Sequence, residues 1–341
     1  MAMERRAPED HPSLDHAREI TPAMRRKRNA DSGREAEHPT EIPGHGWKRV
    51  LARVKDRTLR DNLSIIAAGV AFYAFLAIPS ALTALVALYG LAFNPADVQR
   101  QLSALHGVMP AEAVQLVTQQ LKAVTSQPQT SLGIGFIVAL LVAIWGARSA
   151  MSTFITALNI AYGEEERRSF FRFQAMAFGL TGLAVVFAVL SIALIGVLPA
   201  AIDLLPFGSF GKTIASVVRW PVLLALMTIG LAAIYRYAPS REEAKWRWVS
   251  WGASVATVFW IAASALFSVY VGEFASYDKT YGSVGAVVVL MMWLYVSAFA
   301  VLLGAELNGE MEHETARDTT TGAPSPIGRR GAWAADNVAQ D

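Results

Sequence analysis

Cysteine is absent from this 341-residue chain, and only 17% of its residues are charged. The first absence excludes disulfide bonds and thiolate metal sites, although it identifies no cellular compartment. The scarcity of charge accompanies a hydrophobic fraction of 53% and a mean hydropathy of +0.34, a combination that is rare in soluble domains. The composition therefore indicates an integral membrane protein.

Groups that enzymes use are also scarce. All six histidines lie outside the long apolar segments, and four of them fall in the first 46 residues without the spacing of metal ligands. The sequence contains no phosphate-binding glycine loop, no GxSxG motif and no paired carboxylates within an apolar segment. We therefore expect no enzymatic activity, no catalytic residue, no metal and no cofactor. A net charge of +2 is too small to predict nucleic-acid binding.

Long apolar segments dominate the rest of the chain. The clearest covers residues 284–305 without a formal charge, and as a helix it would be about 33 Å long at about 1.5 Å per residue. That length matches the hydrocarbon thickness of a bilayer, about 30 Å. The sequence predicts an all-α polytopic protein with six transmembrane helices, at about 63–93, 132–160, 173–198, 214–237, 249–271 and 284–307.

The remaining segments are more polar. We expect disordered cytoplasmic tails at 1–46 and 309–341, on either side of a membrane domain at 47–308. Apolar residues recur at helical spacing in 94–130, which predicts an amphipathic helical segment on the outer surface between the first two spans. No long apolar run precedes the first span, so we expect membrane insertion to use that span rather than a signal peptide.

Basic residues near the spans predict the orientation. Fourteen Lys and Arg residues flank the proposed inner side and five flank the outer side. Because cytoplasmic flanks carry the excess of positive charge, both termini are predicted to be cytoplasmic. Residues 47–62 combine six of these basic residues with apolar ones in a short amphipathic helix, which we expect to contact anionic membrane lipid.

Polar residues in the inner half of the second span form a candidate substrate path. Arg148, Ser152 and Asn159 share one helix face because they are four and seven residues apart. Arg148 either snorkels to the cytoplasmic boundary or faces a polar vestibule, where it would pair with Glu306 at a similar depth. Glu306 itself is either a helix-end carboxylate in interfacial water or the partner of a buried cation.

Proline and small residues predict how the helices bend and pack. Pro79 should kink the first span, because its ring and missing amide interrupt the helix; the segment then serves either close helix packing or the lining of a substrate path. Ser297, Ala300 and Gly304 form a narrow seam on which another helix can pack closely. Gly282 breaks the last helix at its start, and we count it among the packing residues.

Three segments resemble signature segments of the YihY/BrkB family of bacterial inner-membrane proteins. They are DNLSIIAAGVAFYAFLAIPSAL, IWGARSAMSTFITALNIAYG and YDKTYGSVGAVVVLMMWLYVSAFAVLLGAELN, in this order between about residues 47 and 310. The resemblance implies six helices, cytoplasmic termini and a place in the bacterial inner membrane. The family once carried the label ribonuclease BN, an attribution regarded as mistaken, and this sequence lacks the metal ligands or acid/base pair that a ribonuclease needs.

Envelope maintenance, serum resistance and lipid export have been proposed for members of that family. We expect movement of an amphiphilic or anionic envelope substrate such as a lipid, without an ATPase of the protein's own. Arg148 would attract the anionic group, Glu306 would hold Arg148 at rest, and Ser152 and Asn159 would donate neutral hydrogen bonds. The alternative is a scaffold for envelope integrity that moves nothing, and an intramembrane enzyme is disfavoured. Partners would be membrane lipids, and envelope proteins or a second copy of the chain.

Overall fold

A computed structural model describes residues 33–92, 129–197, 209–273 and 283–339. Helices make up most of this part of the chain, and its one β-type contact is an isolated bridge between Ala244 and Thr320. The predicted all-α class is confirmed. The helices are α1 (Gly44–Arg60), α2 (Leu63–Ala92), α3 (Gln129–Tyr162), α4 (Phe170–Ile192), α5 (Ser209–Tyr237), α6 (Trp246–Glu273), α7 (Ser283–Glu314) and the short α8 (Trp333–Asp336).

Five of these helices, α3 to α7, are long and apolar enough to cross a membrane. The count rises to six when α1 and the start of α2, which meet at 63°, are taken as one bent span. In the most apolar stretch of each of α3 to α6, at most 11% of the residues are buried inside the protein. Apolar side chains that face outward along a whole helix require lipid around them. The chain is therefore a multi-pass all-α membrane protein.

Several predicted features fall outside the described residues or stay untested. The amphipathic segment at 94–130 lies outside them except for its last two residues, which begin α3, and Gly282 lies outside them as well. Helix α2 is helical through position 79, and a kink at Pro79 stays a prediction. Helix α4 continues as a π-helical turn at Ala193–Val197.

The buried core lies at one end of the bundle, which we call the polar end. Neighbouring long helices run in opposite directions, so the starts of α2, α4 and α6 meet the ends of α3, α5 and α7 there. The core residues follow this arrangement, from Leu63 in the first turn of α2 to Tyr162, the last residue of α3. The connections at 163–169 and 238–245, and the described residues nearest both chain ends, lie at the same end.

Helices α6 and α7 approach each other through small residues. A Cβ atom added at Gly252 would lie 2.4 Å from the backbone oxygen of Gly304, a distance at which something must shift. Ala300 is fully buried, and the indole nitrogen of Trp260 donates to Ser297 Oγ at 2.9 Å. The structure thus places the small-residue seam of α7 against α6, where close backbone approach replaces the hydrophobic effect that lipid cannot supply.

Residues 315–339, which we call the C-terminal strap, are folded back onto the polar end. The buried guanidinium of Arg330 donates to the backbone oxygens of Ala316, Arg317 and Ala335 at 2.8–3.2 Å. A disordered tail was expected from residue 309, because 309–341 shows no apolar period. The structure differs because hydrogen bonds from one arginine to several backbone carbonyls organise the segment, and those contacts leave no periodic pattern.

The described part of the N-terminal segment is also packed. Ala36 and Ile42 are buried in a small cluster with Val50 of α1 and Met311 of α7. The predicted disorder of residues 1–46 therefore does not extend over 33–46, and residues 1–32 lie outside the described part.

Candidate functional site

Helix α1 presents a row of arginines to the end of α7. Arg49, Arg53 and Arg57 are four residues apart and therefore lie on one face of the helix. Arg53 contacts Glu310 at 2.5 Å and Glu314 at 2.6 Å, while Arg57 contacts Glu310 at 3.0 Å and Arg49 contacts Glu314 at 2.5 Å. The two carboxylates are almost fully buried, so these pairs hold α1 across the end of the bundle.

The connection between α5 and α6 contributes a deeper ion pair. Arg241 Nη2 lies 2.6 Å from Glu312 Oε2, and the two side chains are 1% and 0% exposed. Thr319 of the C-terminal strap donates to the same carboxylate at 2.7 Å, and the Tyr162 ring lies 5.2 Å from the guanidinium carbon. Burial by itself lowers the pKa of Arg241, but the Glu312 carboxylate more than offsets this and raises it. Arg241 is therefore a permanent buried cation.

The arginines of α1 form one network with Glu310 and Glu314, and the pair of Arg241 with Glu312 is separate from it; together we call these ion pairs the polar junction. It consists of Arg49, Arg53, Arg57, Arg241, Glu310, Glu312 and Glu314. The sequence carried a signal for it, because three arginines and two glutamates each recur at a spacing of four. We missed the pairing because the glutamates follow residue 308, in the segment predicted to be a disordered tail.

Glu306 lies one turn before Glu310 and is not part of these pairs. Its side chain is fully buried, and neither carboxylate oxygen makes a hydrogen bond to a described residue. Neither predicted environment is present, since the carboxylate does not reach the surface and accepts no bond from a cation. Among the described residues, Glu306 is thus a buried acid without a hydrogen-bonding partner, next to acids that are paired with arginines.

The structure does not bring Arg148 and Glu306 together. Arg148 donates through Nη2 to Gln174 Oε1 on α4 and so links α3 to α4. Ser152 Oγ is buried and makes no hydrogen bond within the described part of the chain. The predicted ion pair between Arg148 and Glu306 is thus not formed, and a vestibule shared by Arg148, Ser152 and Glu306 stays a prediction.

Asn159 has a structural role at the polar end. Its side-chain amide donates to Glu166 at 2.9 Å, and its oxygen accepts from the backbone of Ser240 at 2.8 Å. Burial raises the pKa of Glu166, but hydrogen bonds from Arg168 and Asn159 outweigh that effect and bring the pKa to about 2. Asn159 therefore joins the two connections 163–169 and 238–245 at the end of the bundle.

A cavity of about 430 Å³ opens beside these two connections. Arg167, Arg168, Arg236 and Arg241 line it together with the acids Glu242 and Glu243, and we call it the arginine pocket. Arg168 is held by Glu166, Arg236 by a 2.7 Å contact to a carboxylate oxygen of Glu243, and Arg241 by Glu312. The guanidinium of Arg167 makes no hydrogen bond or ion pair to a described residue. The pocket thus combines three guanidinium groups in direct contact with carboxylates and one, Arg167, that contacts no described carboxylate directly although its charge acts on Glu164.

The pocket lies where two helices diverge. Met176 in the second turn of α4, Tyr237 at the end of α5 and Gly331 of the C-terminal strap are among the residues that line it. Helices α4 and α5 pack chiefly on α3 and α6, and much less on each other. The arginine pocket is therefore the polar mouth of a loosely closed boundary between α4 and α5.

Comparisons with known proteins agree with this architecture. The family model described as Virulence factor BrkB matches residues 54–327. The ribonuclease-like protein YfkH of Bacillus subtilis is 34% identical over 223 residues, which is 64% of this chain and 79% of that protein. A UPF0761 membrane protein of Psychromonas ingrahamii is 24% identical over 262 residues, which is 75% of this chain and 85% of that protein.

A second UPF0761 membrane protein, from Idiomarina loihiensis, is 27% identical over 190 residues, covering 54% of this chain and 61% of that relative. The aligned part thus spans less than two thirds of the Idiomarina protein. No solved structure matches the chain. Among the described residues, no three His, Asp or Glu side chains are grouped as metal ligands would be.

Proposed function

The chain belongs to the BrkB virulence factor family of membrane proteins, and we propose that it moves an anionic amphiphile across the membrane without an ATPase of its own. A lipid with a phosphate headgroup fits this description. The observation that carries the proposal is the arginine pocket at the mouth between α4 and α5.

The pocket has the chemistry of a headgroup site. Guanidinium groups bind phosphate through paired charge-assisted hydrogen bonds, which are about twice as strong as neutral ones. Arg168 and Arg236 are held in place by carboxylates, so little conformational entropy is lost when an anion arrives. Arg241 is buried behind them, and Arg167 offers the guanidinium that is not in direct contact with a described carboxylate. A cavity of about 430 Å³ is also within the usual range for small-molecule sites.

The adjoining helices suit the apolar part of the substrate. Val186 and Val189 of α4, and Val222 and Leu224 of α5, are exposed apolar side chains. Acyl chains that lie along these faces would exchange with surrounding lipid at small energetic cost, because both environments are apolar. An amphiphile could thus enter sideways, with its headgroup in the arginine pocket and its chains in the bilayer.

In this proposal the polar end faces the cytoplasm of a bacterial inner membrane, because most basic residues that flank the spans lie there. Arg148 holds α3 to α4 beside the path rather than meeting the headgroup. Asn159 supports the connections that contain the arginines of the pocket. Ser152 lies between Arg148 and Asn159 on α3. These roles replace the direct substrate contacts that the sequence alone predicted for them.

The test uses the full chain in liposomes that contain fluorescent phosphatidylglycerol, an anionic phospholipid, or fluorescent phosphatidylcholine. We expect phosphatidylglycerol to move between leaflets faster than in protein-free vesicles and faster than phosphatidylcholine. Arg167→Ala should slow it about tenfold, since a charge-assisted hydrogen bond contributes about 1.5–3 kcal/mol. Arg172→Ala is the matched control, because Arg172 is an exposed arginine nearby that does not line the pocket. Equal rates with and without protein would overturn the proposal.

A scaffold that moves nothing is the second candidate, and the polar junction favours it. The buried pair of Arg241 with Glu312 and the bridging role of Asn159 fix the polar end in one arrangement. A scaffold would leave both phosphatidylglycerol and phosphatidylcholine in their original leaflets. The same liposome experiment therefore separates the two functions.

A further inference from the structure

Glu306 differs from the acids that follow it on α7. Glu310, Glu312 and Glu314 are equally buried, but each accepts from at least one arginine. Glu306 is 0% exposed, and its two oxygens accept no hydrogen bond from a described residue. An ionised carboxylate in such a place loses its hydration without compensation, whereas a protonated one carries no charge to desolvate.

The charges around Glu306 give it no cation of its own. The described charged groups that act on Glu306 are Arg57 of α1, Asp61 directly after α1, and Glu310 on α7. Tyr162 of α3 is also close enough to interact with it electrostatically. Arg57 is already shared, since its Nε contacts Glu310 at 3.0 Å. A negative Glu306 would therefore be a third anion beside two acids and one engaged arginine.

Neighbouring groups further along do not change this balance. Helix α2 contains no Asp, Glu, Lys, Arg or His. On α7 the next titratable group is His313, whose ring nitrogen lies 3.4 Å from Glu310, the acid that Arg53 and Arg57 also contact. A proton on His313 would add to the positive partners of Glu310 rather than reach Glu306.

We propose that Glu306 is a proton-binding site of the membrane domain, protonated in the structure described, and that loss of its proton loosens α1 and the α1–α2 turn from α7. Ionisation would place a negative charge against Asp61 and Glu310, across the contact that Arg57 stabilises. Because Val50 and Val54 of α1 pack in the buried cluster beneath that contact, separation would expose them. Protonation at this site would thus set how tightly the polar end is closed.

The protonation state can be read directly by infrared difference spectroscopy of the full chain in nanodiscs. The spectrum of the wild type minus Glu306→Gln at neutral pH should contain the carbonyl stretch of a protonated carboxyl group. The matched control is Glu165→Gln, because it makes the same substitution at an exposed glutamate in the α3–α4 connection. Carboxylate bands in place of the carbonyl stretch for Glu306 would overturn the proposal.

The movement of α1 has its own test, which the absence of cysteine makes possible. Val50→Cys places a thiol on the buried face of α1, and Leu51→Cys places one on its exposed face. Because a buried thiol and an exposed one titrate differently, the ratio of the two alkylation rates is compared between the wild type and Glu306→Gln, in which that difference is the same. We expect the ratio to rise several-fold more from neutral to alkaline pH in the wild type than with Glu306→Gln added. An equal change of the ratio in the two proteins would refute the coupling to α1.

Neither experiment involves lipid movement, so this inference stands or falls independently of the arginine pocket. Should Glu306→Gln fail to fold, the wild type labelled with ¹³C-glutamate still tests the proton site. It must show a protonated carboxyl band that disappears as the pH rises, and a spectrum without that band at neutral pH would refute the site. Because Glu164 is also buried and burial raises its pKa, the band must persist in Glu164→Gln, and its loss there would refute the assignment to Glu306.

Discussion

The polar end and the lipid-facing lengths of the helices are specified in different ways. At the polar end, the Arg241–Glu312 pair and the contact of Gly252 with Gly304 depend on particular residues at particular positions. Along α4, by contrast, Gly179 and Gly182 have open space where a Cβ would lie, and most neighbours are outward-facing apolar side chains. One region is fixed by individual contacts and the other by composition.

This difference follows from the two solvents. In lipid, one apolar side chain is nearly as good as another, because exchanging it for an acyl chain changes little free energy. At the polar end, buried charges are tolerated only while each keeps its partner. Substitutions that change side-chain volume by a similar amount should therefore reduce the stability of the protein strongly at the polar end and only slightly along the spans.

The largest effect is expected from Arg241→Leu. Removing this cation leaves the buried carboxylate of Glu312 unpaired, which should destabilise the protein by about 3–5 kcal/mol. Thermal unfolding in detergent measures the loss, and Arg172→Leu, an exposed arginine at the start of α4, is the control that should change little. Adding Glu312→Leu to the first variant should restore much of the stability. If the double variant is as unstable as the single one, the pair is not what stabilises this contact.

Gly252→Ala should have the next largest effect. The new methyl group would lie 2.3 Å from Asn308 Oδ1 and 2.4 Å from Gly304 O, so α6 and α7 must separate, at a cost of about 1–3 kcal/mol. Gly179→Ala is the matched control, because it adds the same group to a transmembrane helix with nothing within 4 Å. Equal unfolding temperatures for the two variants would contradict the close packing of α6 on α7.

Sequence reasoning recovered what depends on composition and period. It predicted the all-α class and a multi-pass membrane protein, which the five to six candidate spans confirm. It missed the Arg53–Glu310 and Arg241–Glu312 pairs, because a charged residue looks the same in a sequence whether it is solvated or paired with another far along the chain. The C-terminal strap was missed for a related reason, since Arg330 organises it through backbone carbonyls.

The role of the C-terminal strap can be tested with Trp333→Ala. The Trp333 ring lies 4.4 Å from the guanidinium carbon of Arg57, and its backbone amide donates to Glu164 at 2.6 Å. Losing the ring should remove about 1–2 kcal/mol of cation–π stabilisation at this partly desolvated site. Amide hydrogen exchange should then become faster in α1 and the C-terminal strap, while the exchange of α3 should not change. Phe171→Ala, which removes an 82% exposed ring from α4, should alter neither segment.

The smallest effect on stability is expected from substituting Glu166, and the direction in which this effect changes with pH tests the prediction. Burial raises the pKa of Glu166, but the hydrogen bonds from Arg168 and Asn159 bring it from the ordinary 4.5 to about 2 in the folded protein. Its stabilisation is therefore fully present above about pH 4.5 and is lost as the pH falls towards 2. At neutral pH the free energy of unfolding of the wild type should exceed that of Glu166→Gln by about 1 kcal/mol or less, because the ion pair of Glu166 with Arg168 is partly solvated.

Thermal unfolding measures the difference. The unfolding temperatures of the wild type and Glu166→Gln should converge on acidification, whereas Glu165→Gln should keep the unfolding temperature of the wild type throughout. A gap between wild type and Glu166→Gln that widens in acid would mean that the Arg168 contact does not stabilise the folded chain.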